Sequence, residues 1–254
     1  MADQHDVERA AAFIPEAWAR RVESCGGVVH DVAGLRVCLT GVPMPQFNPT
    51  LVAAVPRDPD RALAAAERGY EGTGLHMGID LEVSLHGSVR SAAERAGLTM
   101  VESRPGMTLP IVEAVFVDPP DGVEVVRVED PRMLDRIAEV DAIAFGGDPA
   151  RGFVPDAMLE DPAQRVYAAR VDGVVVGSGE CTVVDGVMGV FGIATLPEFR
   201  RRGIGAALTS RLIKDRADEI DLVCLDASEL GQRVYERLGF RATSTWEVWV
   251  RRRA

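Results

Sequence analysis

The sequence predicts an α/β (α+β) fold in two domains, and three observations lead there. Apolar runs of strand length alternate along the whole chain with stretches of helical spacing. Residues 118–122, Asp-Pro-Pro-Asp-Gly, break these segments into two series of similar order. The second series contains a buried strand, a glycine loop and a helix in direct succession. The chain's 254 residues are enough for one large domain or two modest ones, and 47% hydrophobic residues supply an ample core.

In the first series, residues 6–24 carry helical spacing through Val7, Ala10, Ala11, Ile14, Trp18 and Val22, with Pro15 expected to split or kink the run. Val28–Val42 alternates well enough for two strands about a turn at Asp31–Gly34. Leu51–Val55 is a short strand ended by Pro56, and Asp60–Arg68 is an alanine-rich helix. Leu75–Leu85 follows as a strand, Ser88–Ala96 as a helix and Leu98–Leu109 as one or two strands. Gly69, Gly72, Gly74 and Gly78 follow a helix instead of opening one, so they are turn and bulge positions.

The second series opens with a strand at Val123–Val128 and a helix at Pro131–Phe145. A short helix at Val154–Glu160 precedes strands Val166–Val171 and Val174–Val184, which turn at Asp172-Gly173, and a second Asp-Gly pair at 185–186 leads into the next strand. Asp-Gly between alternating strands is a strong hairpin signal, because type I′ turns need positive φ at both central residues. That next strand is rich in β-branched residues, Val190-Phe191-Gly192-Ile193-Ala194-Thr195, and Pro197 ends its ladder. Arg200-Arg201-Arg202-Gly203-Ile204-Gly205 follows, and Ile204, Ala207, Leu208 and Leu212 then mark one face of a helix. Ile220–Asp226 is a strand, Glu229–Leu238 a helix closed by Gly239, and Thr243–Val250 the last strand.

The loop at Arg200–Gly205 has the makings of a phosphate site. A helix's first turn leaves backbone N–H groups without partners, the helix dipole adds partial positive charge, and glycine lets an oxyanion come close. A P-loop requires Gly-Lys-Ser/Thr, and Ile204-Gly205-Ala206 stands there instead; the dinucleotide pattern GxGxxG fails at Leu208. Arg-x-x-Gly-x-Gly, read as Arg200, Gly203 and Gly205 behind Thr195 and Pro197, resembles the acyl-CoA loop of the GNAT superfamily of N-acyltransferases. Leu225–Phe240, ending in Tyr-x-x-Leu-Gly-Phe, is similar to that superfamily's later motif. The resemblance covers about residues 123–252.

The resemblance implies two GNAT-like domains, each a mixed, mostly antiparallel sheet flanked by helices: a degenerate one at 1–117 and an acetyl-CoA-binding catalytic one at 123–254. The two halves share landmarks at an offset of about 142 residues, since Glu94-Arg95-Ala96-Gly97-Leu98 parallels Glu236–Phe240 and Val55-Pro56 parallels Leu196-Pro197. Where the second half has Glu198–Gly203, the first has Arg57-Asp58-Pro59-Asp60-Arg61-Ala62. Two carboxylates would repel a pyrophosphate and Pro59 removes an amide donor, so the first half is expected not to bind CoA. Ala93 also stands where the second half has Tyr235.

Acetyl-CoA is thereby implied as cosubstrate, held by Ile193, Ala194, Thr195, Arg200, Arg201, Arg202, Gly203, Ile204, Gly205, Ala206 and Ser228. Ser228 stands where many relatives carry an asparagine, and as a helix N-cap it has a structural reading too. Tyr235 is implied as the acid that reprotonates the departing thiolate. A base is harder to find. Many relatives carry a glutamate on the strand before the loop, where Val187-Met188-Gly189-Val190-Phe191 has no carboxylate; Glu180 is the substitute, with Asp226 behind it. The expected activity is transfer of an acetyl group to an amine of a small molecule or peptide. The alternative is a non-catalytic acyl-CoA-binding or regulatory module.

Composition excludes some other classes. The net charge of −11 disfavours a nucleic-acid surface. The four cysteines and four histidines are dispersed, so no metal is expected and the thiols read as free and buried. No apolar run approaches the roughly 20 residues that span a bilayer, and the acidic start lacks a signal peptide's pattern, so a cytoplasmic protein, monomer or homodimer, without a membrane partner is expected.

Overall fold

The computed structural model describes residues 2–251 and is a mixed α/β structure in two compact units. The first holds residues up to Gly106 and takes in the chain again from Ala242; the second is Met107–Arg241.

In the first unit, helix α1 runs unbroken over Ala2–Ser24 with Pro15 inside it, so the expected split does not occur. Strands β1 (Val28–Val32) and β2 (Leu35–Leu39) form a hairpin through Ala33 and Gly34, both at positive φ. Strand β3 (Thr50–Val52), helix α2 (Pro59–Arg68), strand β4 (Gly78–Glu82), helix α3 (Gly87–Arg95) and strand β5 (Thr99–Pro110) follow. β3 and β4 are parallel, with Thr50 opposite Ile79 and Leu51 opposite Asp80. The strand expected over Leu75–Leu85 is five residues long, because Gly72 and Gly74 take positive φ ahead of it and His86 Nδ1 accepts from Glu82 N–H at its end.

In the second unit come strand β6 (Val123–Arg127), helices α4 (Arg132–Phe145) and α5 (Ala157–Glu160), strands β7 (Gln164–Val171), β8 (Val174–Val184) and β9 (Val187–Thr195), helix α6 (Ile204–Lys214), strand β10 (Leu222–Asp226) and helix α7 (Glu229–Arg237). These strands lie in the order β10-β9-β8-β7-β6. β6 to β9 are antiparallel in succession, and β9 and β10 are parallel. Both Asp-Gly turns form as expected, with Asp172, Gly173, Asp185 and Gly186 all at positive φ.

The units do not follow the division expected at residues 118–122. The segment before that turn is held inside the second unit: Ile111 N–H donates to Asp221 O, Val115 N–H to Leu238 O and Val117 N–H to Ser210 Oγ. The last strand, β11 (Arg241–Val250), pairs antiparallel with β4 of the first unit from Trp246–Glu82 to Val250–Gly78. Burial decides this, because Trp249 joins Leu63, Leu81 and Val89 in the first unit's core. Arg90 reinforces the strand's seat with a 2.7 Å ion pair to Glu247 and stacks over Trp249.

The second unit's core places helix α6. Ile204, Ala207, Leu208 and Leu212 are all buried, the face its spacing predicts. β8 meets them with glycine. A Cβ on Gly177 would lie 2.8 Å from Ala194 O and 3.3 Å from both Ile204 and Leu208, and one on Gly179 would lie 2.5 Å from Ile193 and 3.2 Å from Leu212. The helix therefore packs against bare backbone. Alanine ordinarily improves on glycine in a strand, but Gly177→Ala is expected to destabilise by about 1–3 kcal/mol, the usual cost of overpacking a filled core. Denaturant unfolding with an unchanged slope would measure it.

Candidate functional site

The site forms where β9 leaves β10. The two strands pair at only three positions, Val187–Leu222, Met188–Val223 and Gly189–Cys224. β9 then continues to Thr195 in contact with β8 alone. A bulge accompanies the departure. Between the pairs Ser178–Ala194 and Glu180–Phe191, β9 carries one residue more than β8, and Gly192 takes φ +60°. Bulges bend the strand that carries them and end regular pairing. The edge of β9 from Val190 to Thr195 is thus left without a strand on the β10 side.

Helix α6 opens beside that edge. Gly203 is its N-cap in the left-handed region (φ +85°, ψ 0°), and no side chain caps the helix. The first helical bond runs from Ala207 N–H to Gly203 O, and no described residue accepts from the amides of Ile204, Gly205 and Ala206. Three convergent donors at the positive end of a helix dipole form an anion seat. A Cβ on Gly203 would have its nearest neighbour, Pro120, at 3.5 Å, so glycine is required there for its backbone angle.

The three loop arginines separate into different positions. Arg200 donates from Nε to Thr195 O (3.1 Å) and from a terminal nitrogen to Ala144 O (3.0 Å), tying the loop to the end of β9 and to α4. Arg202 lies over the Phe199 ring at 5.1 Å, and Arg201 sits at φ +63°; both are exposed. Of the expected acyl-side residues, Ala194 is buried while Ile193 and Thr195 are half-buried, with Ile193 against Gly179 and Gly205. Ser228 is the N-cap of α7, its Oγ accepting from Gly231 N–H at 3.2 Å.

Tyr235 is buried on α7, edge-on to Phe240 at 5.8 Å. Its ring lies back over the helix's first turn, where a Cβ on Gly231 would meet it at 2.9 Å. Burial pushes the phenol up to about 12, and no described residue accepts its proton. Glu180 is buried on β8 with its side chain against the bulge, 3.7 Å from a Cβ placed on Gly192. Asp226 is exposed at the end of β10. One pair escaped sequence reasoning: Ser178 Oγ donates to Asp141 of α4, next to Glu180 on β8. Nothing local marks it, since the partners are 37 residues apart. No disulfide joins the described cysteines; Cys38, Cys181 and Cys224 are buried as expected, while Cys25 is half-buried. No described helix is long and apolar enough to cross a membrane.

The acetyltransferase (GNAT) family model matches residues 134–240. No curated protein matches the chain. Among solved structures, a GCN5-related N-acetyltransferase from Kribbella flavida is 22% identical with a TM-score of 0.78, over 96% of each chain. A conserved protein of unknown function from Staphylococcus epidermidis is 14% identical with a TM-score of 0.64, covering 89% of this chain and 93% of that one. A tandem GNAT protein from the clavulanic acid biosynthesis pathway is 16% identical with a TM-score of 0.61, covering 87% of this chain and 78% of that one. At these identities the likeness is one of fold.

The cap at Ser228 carries its own expectation. Ser228→Ala should cost about 0.5–2 kcal/mol, whereas Ser228→Asp, which still caps, should cost little; thermal unfolding of both variants checks it. The acetyltransferase (GNAT) family model matches residues 134–240, the stretch that holds the parted strands and the uncapped helix, and there the chain is similar to that family.

Proposed function

We propose that the second unit transfers an acetyl group from acetyl-CoA to an amine of a small molecule or peptide. One observation carries the reading: the free edge of β9 ends beside three unpartnered amides at the N-terminus of α6. A pyrophosphate on Ile204, Gly205 and Ala206, with Arg201 and Arg202 at hand, directs the pantetheine arm along that edge towards Gly192–Thr195. Amides exposed there by the parting of the strands stabilise the tetrahedral oxyanion.

Glu180 takes the proton from the attacking ammonium. The neutral nitrogen then adds to the thioester carbon and sheds its second proton to solvent, and the carbon–sulfur bond breaks with its electron pair on sulfur. Tyr235 gives its proton to the thiolate. The phenol is protonated at neutral pH and so has a proton to donate. Gly231 allows the ring its place, and Ser228 supports the reading chiefly as the cap that starts α7. The first unit is a degenerate copy without this activity. Its counterpart strand, β3, is three residues long, wholly buried and extends no free edge.

The first test is thiol release from acetyl-CoA over a panel of amines, preceded by a calorimetric titration expected to give one acetyl-CoA site per chain. Two comparable sites, or binding without turnover on any amine, would count against the reading. Gly203→Asp places a carboxylate in the phosphate's path and should abolish cofactor binding with the fold retained; binding within a few-fold of wild type would sink the phosphate assignment. On a competent acceptor, Tyr235→Phe should lower kcat by roughly 10²- to 10⁴-fold with little change in acetyl-CoA affinity. Full activity of that variant would show that another group is the acid.

A further inference from the structure

A cavity of about 590 Å³ lies in the first unit, and none of its lining residues belongs to the site assigned above. Gly34 of the β1–β2 turn, Val55, Arg57, Asp58, Arg61 and Arg68 are among the residues that line it. The volume is that of a small-molecule pocket. Arg61, Ala65 and Arg68 fall at i, i+4 and i+7, so one stripe of α2 forms a wall with a guanidinium at each end.

The charge facing this cavity is the reverse of what the sequence suggests. Asp58 and Asp60 read as two carboxylates that would repel an anion. Both are engaged elsewhere. Asp58 Oδ1 accepts from Arg61 N–H at 3.1 Å as the cap of α2. Asp60 holds Arg95 of α3 through two bonds, 3.1 and 2.9 Å, and does not line the cavity. That pairing also holds its carboxyl below the usual carboxylate range. The cations are less committed. The side chains of Arg57 and Arg61 have no acceptor among the described residues, and Arg68 spends one donor on Ala64 O at 3.0 Å. Three guanidiniums therefore face one carboxylate across the cavity.

We propose that this cavity binds a small phosphorylated molecule, with its phosphate on the guanidiniums of Arg57, Arg61 and Arg68 and its less polar part against Val55 and Ala65. Planar forked donors suit phosphate oxygens, and they replace the backbone amides that the cap at Asp58 and the proline at 59 have removed. The α2 end itself supplies none of the recognition. Acyl-CoA is not the ligand, because β3 offers no free strand edge to a pantetheine arm.

Inorganic pyrophosphate is the probe, titrated calorimetrically at low salt into the wild-type protein, with and without saturating acetyl-CoA to fill the α6 loop. With acetyl-CoA filling the α6 loop one equivalent should remain, more weakly bound as salt rises, and without it the α6 loop should add no more than one further equivalent. The double variant Arg57→Ala/Arg61→Ala should lose at least about tenfold in affinity, because charge-assisted bonds are the strong ones. Its melting temperature and acetyl-CoA binding should not change, as neither side chain holds a partner. Unaltered affinity in that variant, no binding at all, or complete displacement of pyrophosphate by acetyl-CoA would overturn the proposal. Failure of acetyl-CoA to bind would instead count against the proposed function, and the arginine comparison would still decide this site.

Discussion

The second unit depends on the close approach of one helix to a glycine-faced strand. Gly177 and Gly179 of β8 present backbone where other residues would present side chains, so Ile204, Leu208 and Leu212 come down onto the sheet itself. Packed protein interiors leave no slack for a methyl group at such a contact. The helix's first turn is thereby brought beside β9, and Gly203, at a backbone angle that L side chains rarely adopt, turns the loop so that the opening amides stay uncapped. The polar site is a consequence of apolar packing beneath it.

A second constraint acts on the other side of β9. Its bulge at Gly192 and the three-position limit on its pairing with β10 leave one edge of β9 without a neighbouring strand inside the sheet. Peptide groups in a folded protein are costly to leave unpaired, so the proposed acyl-CoA would complete the hydrogen bonding of this edge. Glu180 reaches the bulge from β8 and Tyr235 belongs to α7, so the two residues proposed to handle protons come from different elements. Neither is oriented by a local sequence pattern; the bulge places one and Gly231 the other.

The two units show how the same order of elements supports different electrostatics. In the second, amides of an uncapped helix supply the positive end. In the first, Asp58 caps the corresponding helix, and positive charge comes from side chains on its flank. Ion pairing determines the difference: Arg95 engages Asp60, and the formal charge of the segment misstates what faces the cavity. Exposed pairs of this sort contribute little to stability, yet they decide which charges remain available.

The sequence by itself determined the element types, the two hairpin turns and the loop. Those features are local: Asp-Gly supports positive φ at adjacent residues, apolar spacing marks a helix face, and Gly203 fits the angle that opens α6. It also determined the family motifs, since they lie in short contiguous stretches. Tertiary structure alone decided where the units divide. The turn at 118–122 resembles a linker, but backbone bonds from Ile111, Val115 and Val117 bind its approach to the second unit. The last strand reads as the end of the second half, yet it pairs with β4, and burial of Trp249 in the first core makes that pairing favourable. Arg200 likewise reads as a cofactor ligand, while its guanidinium here secures the loop to Thr195 and Ala144. Long-range pairing and burial depend on what surrounds a residue in space, which a linear pattern does not record.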